Sequence, residues 1–81
     1  MQVLYFAWMR ERIGVPKEDV ETSAETVAEL VEELKAREAR YAAAFADMAS
    51  VRVAVDQELT ELSASIIGAR EVAFFPPMTG G

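Results

Sequence analysis

The arrangement of apolar and polar residues along this chain predicts a mixture of strands and helices. Met1 to Met9, MQVLYFAWM, is rich in β-branched and aromatic residues and predicts a first strand. Because both of its faces are apolar, we expect the strand to be central in a sheet, or to turn one face to a partner. Residues 10–14 then predict a short helical turn closed by a glycine, and residues 17–22 predict a short polar strand.

The clearest helix signal begins at Thr26. Thr26 and Glu29 have the spacing of a capping box, in which a hydroxyl and a carboxylate satisfy free backbone N–H groups reciprocally. Apolar residues then recur three and four positions apart, as on one stripe of an amphipathic helix: Val27, Leu30, Val31 and Leu34. The glutamate-rich remainder predicts a solvated face rather than a catalytic or metal site. A lone helix of this length is marginal in water, so we expect it to cover the apolar face of a sheet.

The second half of the chain continues the mixture of helix and strand patterns. Residues 39–47, rich in alanine, predict a short helix that lays two aromatic residues, four positions apart, on the core. Alternating valines over residues 51–55 predict a strand, and residues 59–62 its partner in a hairpin. Residues 71–75 predict the final strand. This order of elements predicts an α+β fold in which a sheet carries the main helix on one face.

The last residues run from the final strand through two prolines into two glycines: Phe74, Phe75, Pro76, Pro77, Met78, Thr79, Gly80 and Gly81. Proline lacks a backbone N–H and fixes φ, so the pair should end the strand and favour an extended course away from the domain. Glycine lacks a Cβ, so the terminal pair could thread a narrow channel and leave its carboxylate open to attack. We expect a domain over residues 1–75 and a flexible tail over residues 76–81, disordered from about Met78 onward.

Composition excludes several kinds of chemistry. The 81 residues include no cysteine and no histidine, which removes the thiol nucleophile, the imidazole base and the usual transition-metal ligands. We therefore expect no side-chain catalysis and no bound cofactor or metal. The net charge of -6 disfavours nucleic-acid binding, which needs basic surface. Without a leader or a long apolar segment, we expect a cytoplasmic protein that does not enter a membrane.

Four segments together resemble a known family: VLYFAWMRERIG at the start, TVAEL in the capped helix, AVDQ in the hairpin and EVAFFPPMTGG at the end. On these residues the chain resembles the small, sulfur-carrying subunits of molybdopterin synthase, the MoaD family. The likeness spans the whole chain, and its most specific part is the ending AFFPP-x-TGG. The resemblance implies a β-grasp, ubiquitin-like fold, with a mixed sheet and one main helix packed on one face.

The resemblance also implies chemistry at the terminal glycine. In this family an E1-like adenylyltransferase uses ATP to adenylate that glycine, and a sulfur donor protein then supplies the sulfur of a thiocarboxylate. The sulfur passes to cyclic pyranopterin monophosphate in the large synthase subunit, within a heterotetramer that makes molybdopterin for the molybdenum cofactor. Carried over to this chain, Gly81 is the adenylate and thiocarboxylate site. Gly80, Thr79 and Met78 would thread the partner's channel.

A partner interface is implied at the four residues that precede Met78: Phe74, Phe75, Pro76 and Pro77. One of the two phenylalanines must face the core, because adjacent strand residues point to opposite faces, and the pattern leaves open which one does. Phe6 and Trp8 could extend this apolar interface, although core positions are favoured for both.

Two other functions remain compatible with the sequence. The same tail chemistry could serve another acceptor, either a thiazole precursor or the lysine amine of a modified protein. A plain interaction domain with an inert tail is the third reading, and its partners would bind equally well without Gly80 and Gly81.

Overall fold

The computed structural model describes residues 1–77, and their five strands form one mixed sheet. In chain order the elements are β1 (Gln2–Tyr5), α1 (Trp8–Ile13), β2 (Lys17–Asp19), α2 (Val27–Arg37), α3 (Ala39–Ala44), a 3-10 turn (Met48–Ser50), β3 (Arg52–Val55), β4 (Glu58–Thr60) and β5 (Glu71–Phe75). The strand order across the sheet is β2-β1-β5-β3-β4. The β1–β5 pair is parallel and the other three pairs are antiparallel. The predicted α+β architecture is confirmed.

The hydrophobic core lies between one face of this sheet and the helices. In the parallel ladder Val3 is paired with Val72 and Tyr5 with Phe74, and all four side chains are buried. The predicted apolar stripe of α2 is buried in the same cluster: Val27, Leu30, Val31 and Leu34. The helix therefore covers the sheet as the sequence predicted.

Thr26 caps α2, although the capping box closes differently from the prediction. The Glu29 backbone N–H donates to Thr26 Oγ1 at 3.2 Å, as expected. The Glu29 carboxylate accepts from the backbone N–H of Glu25 at 3.4 Å, not from that of Thr26. Thr26 also lies opposite Ser65 in an isolated antiparallel bridge, in which the Val27 N–H donates to the Ala64 carbonyl and the Ile66 N–H to the Glu25 carbonyl.

The first strand is shorter than predicted, because the chain turns at Ala7. Ala7 has a φ of 52°, and helix α1 begins at the next residue. Met9 and Ile13 are four positions apart and both are buried, a helical spacing that the apolar run conceals. Gly14 closes this helix as predicted, with a φ of 98° and its N–H donating to the Arg10 carbonyl at 2.8 Å. As expected, β1 is an interior strand, with β2 and β5 on either side.

The remaining elements differ from the predictions mainly at their ends. Strand β2 stops at Asp19 rather than at residue 22, and helix α3 stops at Ala44, although Tyr41 and Phe45 are buried as expected. The β3–β4 hairpin is confirmed, and the bounds of β5 match the prediction. The hairpin turn holds Asp56 at a φ of 49°, and its carboxylate accepts from the backbone N–H groups of residues 70 and 71. This side chain therefore ties the hairpin to the start of β5.

Candidate functional site

The two adjacent phenylalanines of β5 point to opposite faces of the sheet. Phe74 is fully buried, with its ring stacked 6.3 Å from that of Tyr5 and edge-on at 4.9 Å from that of Phe45. Such aromatic pairs stabilise a core beyond the area they bury. The interface role predicted for Phe74 is therefore wrong, because no partner can touch this side chain in the folded domain. Phe75 lies on the other face and is half-buried.

The sheet face that carries Phe75 is opposite the helices, and we call it the outer face. Across its middle the register places Leu4 beside Ala73, Ala73 beside Ala54, and Ala54 beside Leu59. Leu59 is 71% exposed. A sheet face that no helix covers is normally polar, so this apolar row indicates a surface that something else covers.

The apolar surface continues to the end of β5. Phe6, Ala73, Phe75 and Pro76 line a shallow depression of about 450 Å³. The Phe6 N–H donates to the Phe74 carbonyl at 3.1 Å, which holds Phe6 beside the end of that strand. We refer to the whole surface as the apolar patch, formed by Leu4, Phe6, Ala54, Leu59, Ala73, Phe75 and Pro76.

Phe6 and Trp8 have different surroundings, and only one of them packs on the core. Phe6 is 46% exposed, so the core position favoured for it is wrong: it follows Leu4 on the outer face. Trp8 is half-buried and packs against the core from α1, with the Arg12 guanidinium 5.5 Å from the ring centroid. The turn at Ala7 separates the two side chains.

A tyrosine cluster on the helix side of the sheet is structural rather than catalytic. The hydroxyls of Tyr5 and Tyr41 both donate to Glu18 Oε2, at 2.7 and 2.6 Å. Burial, followed by the hydrogen bond to Glu18, raises the pKa of Tyr41 to about 12. The same causes raise the pKa of Tyr5 still further. Both hydroxyls are neutral at physiological pH, so neither serves as a base.

Other reactive groupings are missing from the part of the chain that the structure describes. Within residues 1–77, no group of three or more acidic side chains is placed to hold a metal ion. Across the same residues, every helix falls short of the length and apolar character that a membrane crossing needs. The apolar patch is therefore the candidate functional site of the described domain.

The patch borders the start of the tail. Strand β5 lies in the middle of the sheet and ends at Phe75, and the half-buried Pro76 and Pro77 follow outside any strand or helix. The predicted roles of the other tail residues lie outside the described residues and stay predictions: Met78, Thr79, Gly80 and Gly81. A molecule docked on the patch would thus contact the chain where it leaves the sheet.

Known proteins resemble this chain in both sequence and architecture. A family model described as the ThiS family matches residues 3–81. The chain belongs to the ThiS family. Two curated relatives support this assignment, each aligned over 81 residues that span 100% of this chain and 99% of the relative. The molybdopterin synthase sulfur carrier subunit of Escherichia coli (strain K12) is 37% identical, and that of Haemophilus influenzae is 36% identical.

Solved structures place this ThiS family chain among β-grasp, ubiquitin-like proteins. The crystal structure of SAMP1 from Haloferax volcanii superposes with a TM-score of 0.74 at 22% identity, covering 100% of this chain and 98% of that one. A putative molybdopterin converting factor, subunit 1, from Pyrococcus furiosus gives a TM-score of 0.71 at 27% identity, with 95% of each chain covered. The predicted β-grasp fold is confirmed.

Four members of the patch were missed by the sequence analysis: Leu4, Ala54, Leu59 and Ala73. Three of them, Leu4, Ala54 and Ala73, each lie one position from a buried core side chain, so strand alternation could have found these three. The missing information was the pairing of β3 with β4 and β5, which brings residues distant in sequence into one row.

Proposed function

We propose that this chain is the sulfur carrier subunit of molybdopterin synthase. It carries sulfur as a thiocarboxylate on Gly81 and donates it to cyclic pyranopterin monophosphate in the large subunit. The observation that carries the proposal is the identity of 37% and 36%, along the whole chain, with two subunits of that name. The apolar patch supports it, because a carrier must dock on partners with the start of its tail held in place.

Activation is needed because a free carboxylate is a poor electrophile. An α-carboxyl group has a pKa of about 3.3 to 3.7 and is ionised at neutral pH. In the E1-like enzyme, a Gly81 carboxylate oxygen attacks the α-phosphorus of ATP and pyrophosphate leaves. The outer sulfur of a persulfide on a donor protein then attacks the acyl carbon and AMP leaves, which gives an acyl disulfide. A second thiol attacks the donor's sulfur, forms a disulfide with it and releases the thiocarboxylate. ATP belongs to the activating enzyme, and this chain binds no cofactor of its own.

The contribution of this chain is delivery rather than side-chain catalysis. The central position of β5 fixes the point where the tail begins, and the patch beside it gives the partner a surface to bind. From Pro76 to Gly81 the tail reaches at most about 20 Å, at roughly 3.3 Å per extended residue. Gly80, Thr79 and Met78 would cross that distance inside the partner, whose own residues catalyse the sulfur transfer.

One patch serves two partners in turn under this proposal. The activating enzyme and the large synthase subunit each need Gly81 in an active site, so the two complexes exclude one another.

In the synthase, two copies of this chain bind at opposite ends of a large-subunit dimer to form the heterotetramer. Because adenylation consumes ATP, we place the cycle in the cytoplasm.

The same chemistry could serve a thiazole precursor or a protein lysine as the acceptor. The two curated relatives favour the pterin, since both are named as molybdopterin synthase subunits. Isopeptide adducts on other proteins, or sulfur delivered to a thiazole precursor in place of the pterin, would favour these alternatives.

The first test is sulfur loading of the chain by an E1-like enzyme with ATP and a sulfur source. Intact mass is combined with a thiocarboxylate-selective alkylation, because oxidation of one of the four methionines adds nearly the same mass as replacing oxygen by sulfur. We expect an alkylatable gain in the wild-type chain and none after deletion of Gly81. A Gly81→Ala variant, which keeps a terminal carboxylate, separates the need for a carboxylate at this position from the need for glycine.

The second test gives the loaded chain to the large subunit together with cyclic pyranopterin monophosphate. We expect molybdopterin to form and the thiocarboxylate to be consumed. Sulfur loading that survives deletion of Gly81, or a loaded chain that yields no molybdopterin with a competent large subunit, would contradict the proposal. Far-ultraviolet circular dichroism should show that the deletion leaves the domain folded.

A further inference from the structure

Two cations flank the apolar patch of a protein whose net charge is -6. On the outer face, Lys17 is paired with Leu4 in the β1–β2 ladder, and Arg52 with Phe75 in the β3–β5 ladder. Both cations are exposed, and neither forms an ion pair with a carboxylate of residues 1–77. These two charges are thus opposite in sign to the net charge of the chain.

The Arg52 side chain is held in place by hydrogen bonds to backbone carbonyls just before β3. Its Nη1 donates to the carbonyls of Ala49 and Val51, at 3.2 and 3.1 Å. A guanidinium has five N–H donors in a fixed fork, so donors remain for a ligand. A cation that is already oriented loses less conformational freedom on binding than a free one.

Carboxylates gather at the other end of the outer face, away from the tail. Gln2 lies between Asp19 and Glu71 in the register, and the Asp56 carboxylate binds the backbone at the start of β5. Two cations are also at this end, because the N-terminal amine pairs with Asp19 at 3.2 Å and Arg70 lies near Asp56. The balance of these charges is negative, whereas Lys17 lies at one end of the middle row and Arg52 lies in the row nearer the tail.

The strand order gives this arrangement a direction. Strands β2 and β3 are three steps apart, so Lys17 and Arg52 are separated by about 14 Å across the sheet, at roughly 4.8 Å per strand. Consider a ligand rotated by 180° about an axis through Ala73, perpendicular to the sheet. Its group that met Arg52 would then meet Gln2, which lies between two carboxylates. Its group that met Lys17 would meet Leu59, which offers no charge. Only one orientation satisfies two negative groups.

We propose that the large synthase subunit presents an apolar pocket with a carboxylate on either side, and that Lys17 and Arg52 bind these carboxylates and orient the docked chain. This inference rests on the proposed function, because it takes the apolar patch as the docking site for that subunit. The patch supplies contact area, but it is apolar throughout and so hardly distinguishes two orientations related by a 180° rotation. The two ion pairs select the orientation in which β5 directs the tail into the active site.

The test is the dissociation constant for the large subunit, measured with the full chain at low and high salt. A Lys17→Gln, Arg52→Gln variant removes the two cations, and a Lys35→Gln, Arg37→Gln variant is the matched control. The control changes the net charge equally, but its positions lie in the last turn of α2, on the opposite side of the sheet. At low salt we expect about tenfold weaker binding from the first variant, the sum of two exposed ion pairs, and less than about twofold from the control. High salt should remove the difference, because ions screen exposed pairs.

The orientation of the docked chain is tested separately, by the rate of sulfur transfer at saturating concentrations of the large subunit. We expect the thiocarboxylated Lys17→Gln, Arg52→Gln variant to transfer sulfur about tenfold more slowly or worse even when fully bound, since misplacement by an ångström has a large effect on rate. Equal dissociation constants for the two variants, or a wild-type transfer rate in the saturated complex, would overturn the inference. Failure of the wild-type chain to bind the large subunit or to accept sulfur would instead overturn the proposed function.

Discussion

The two faces of the central strands share one backbone but differ in what covers them. On the core face, Val3 and Phe74 are completely buried beneath the helices. On the outer face, Leu4 and Phe75 are only half-buried, and no helix of residues 1–77 lies over them. Both faces are apolar, yet the domain has a single layer of helices. One apolar face of an interior strand therefore builds the core, and the other is left as a candidate binding surface.

The largest effect should separate the neighbouring phenylalanines. Phe74→Ala leaves a cavity between the rings of Tyr5 and Phe45, and we expect it to lower the free energy of unfolding by about 3 to 5 kcal/mol. Guanidinium unfolding followed by circular dichroism measures this loss. Phe75→Ala is the matched control, with an expected loss of about 1 kcal/mol or less. Equal losses from the two variants would remove the distinction between the faces.

Alkaline pH should test the two buried tyrosine hydroxyls on the core face. The chain has two tyrosines, which ionise near pH 10.0 when unfolded, whereas Tyr41 in the folded chain ionises at about 12 and Tyr5 higher still. Between these values the folded state keeps protons that the unfolded state has lost. The stabilisation is therefore complete below about pH 10 and decreases by about 1.4 kcal/mol per pH unit for each such tyrosine as the pH rises.

Tyrosinate absorbance and circular dichroism, recorded together, measure this effect. We expect absorbance to rise only as the helical signal is lost, and to rise at lower pH in Glu18→Gln, which removes the charged acceptor of both hydroxyls. Tyrosinate that forms near pH 10 in a chain with full helical signal would show that Glu18 and burial do not protect the hydroxyls.

The smallest effect on stability should come from the outer face, where the change is in binding. We expect Phe75→Ala to weaken the complex with the large subunit by about 30-fold, the size typical of a central interface residue. Ile67→Ala is the matched control, because Ile67 is 72% exposed but lies outside the patch. Titration calorimetry gives both affinities. Similar affinities for the two variants would mean that the patch is not the docking surface.

Elements with a strong local pattern were predictable from the sequence, and those that depend on pairing were not. Helix α2 begins after Thr26 with its apolar stripe buried, and β5 has the predicted bounds, because each carries a clear periodicity. The first strand was predicted too long, since an apolar run suits a strand or a buried helix equally and the turn at Ala7 requires a φ of 52°.

The candidate site shows the same division. Alternation alone gives two equivalent solutions for Phe74 and Phe75, related by a shift of one residue. The register with β1 decides between them, because Phe74 pairs with the buried Tyr5. Leu59 joins the patch only through the pairing of β4 with β3. The role of Gly81 came from resemblance to a family rather than from any periodicity, and it stays a prediction.

The position of β5 has a mechanical consequence. The strand is hydrogen-bonded on both sides, to β1 in parallel and to β3 in antiparallel fashion, and Phe75 leads directly into Pro76. A pull along the chain from Pro76 acts parallel to the strand, so it loads both ladders in shear and must shift all of their hydrogen bonds together. Peeling an edge strand would break the same bonds one at a time. A partner that pulls on the chain from Pro76 therefore does not destabilise the domain that precedes it.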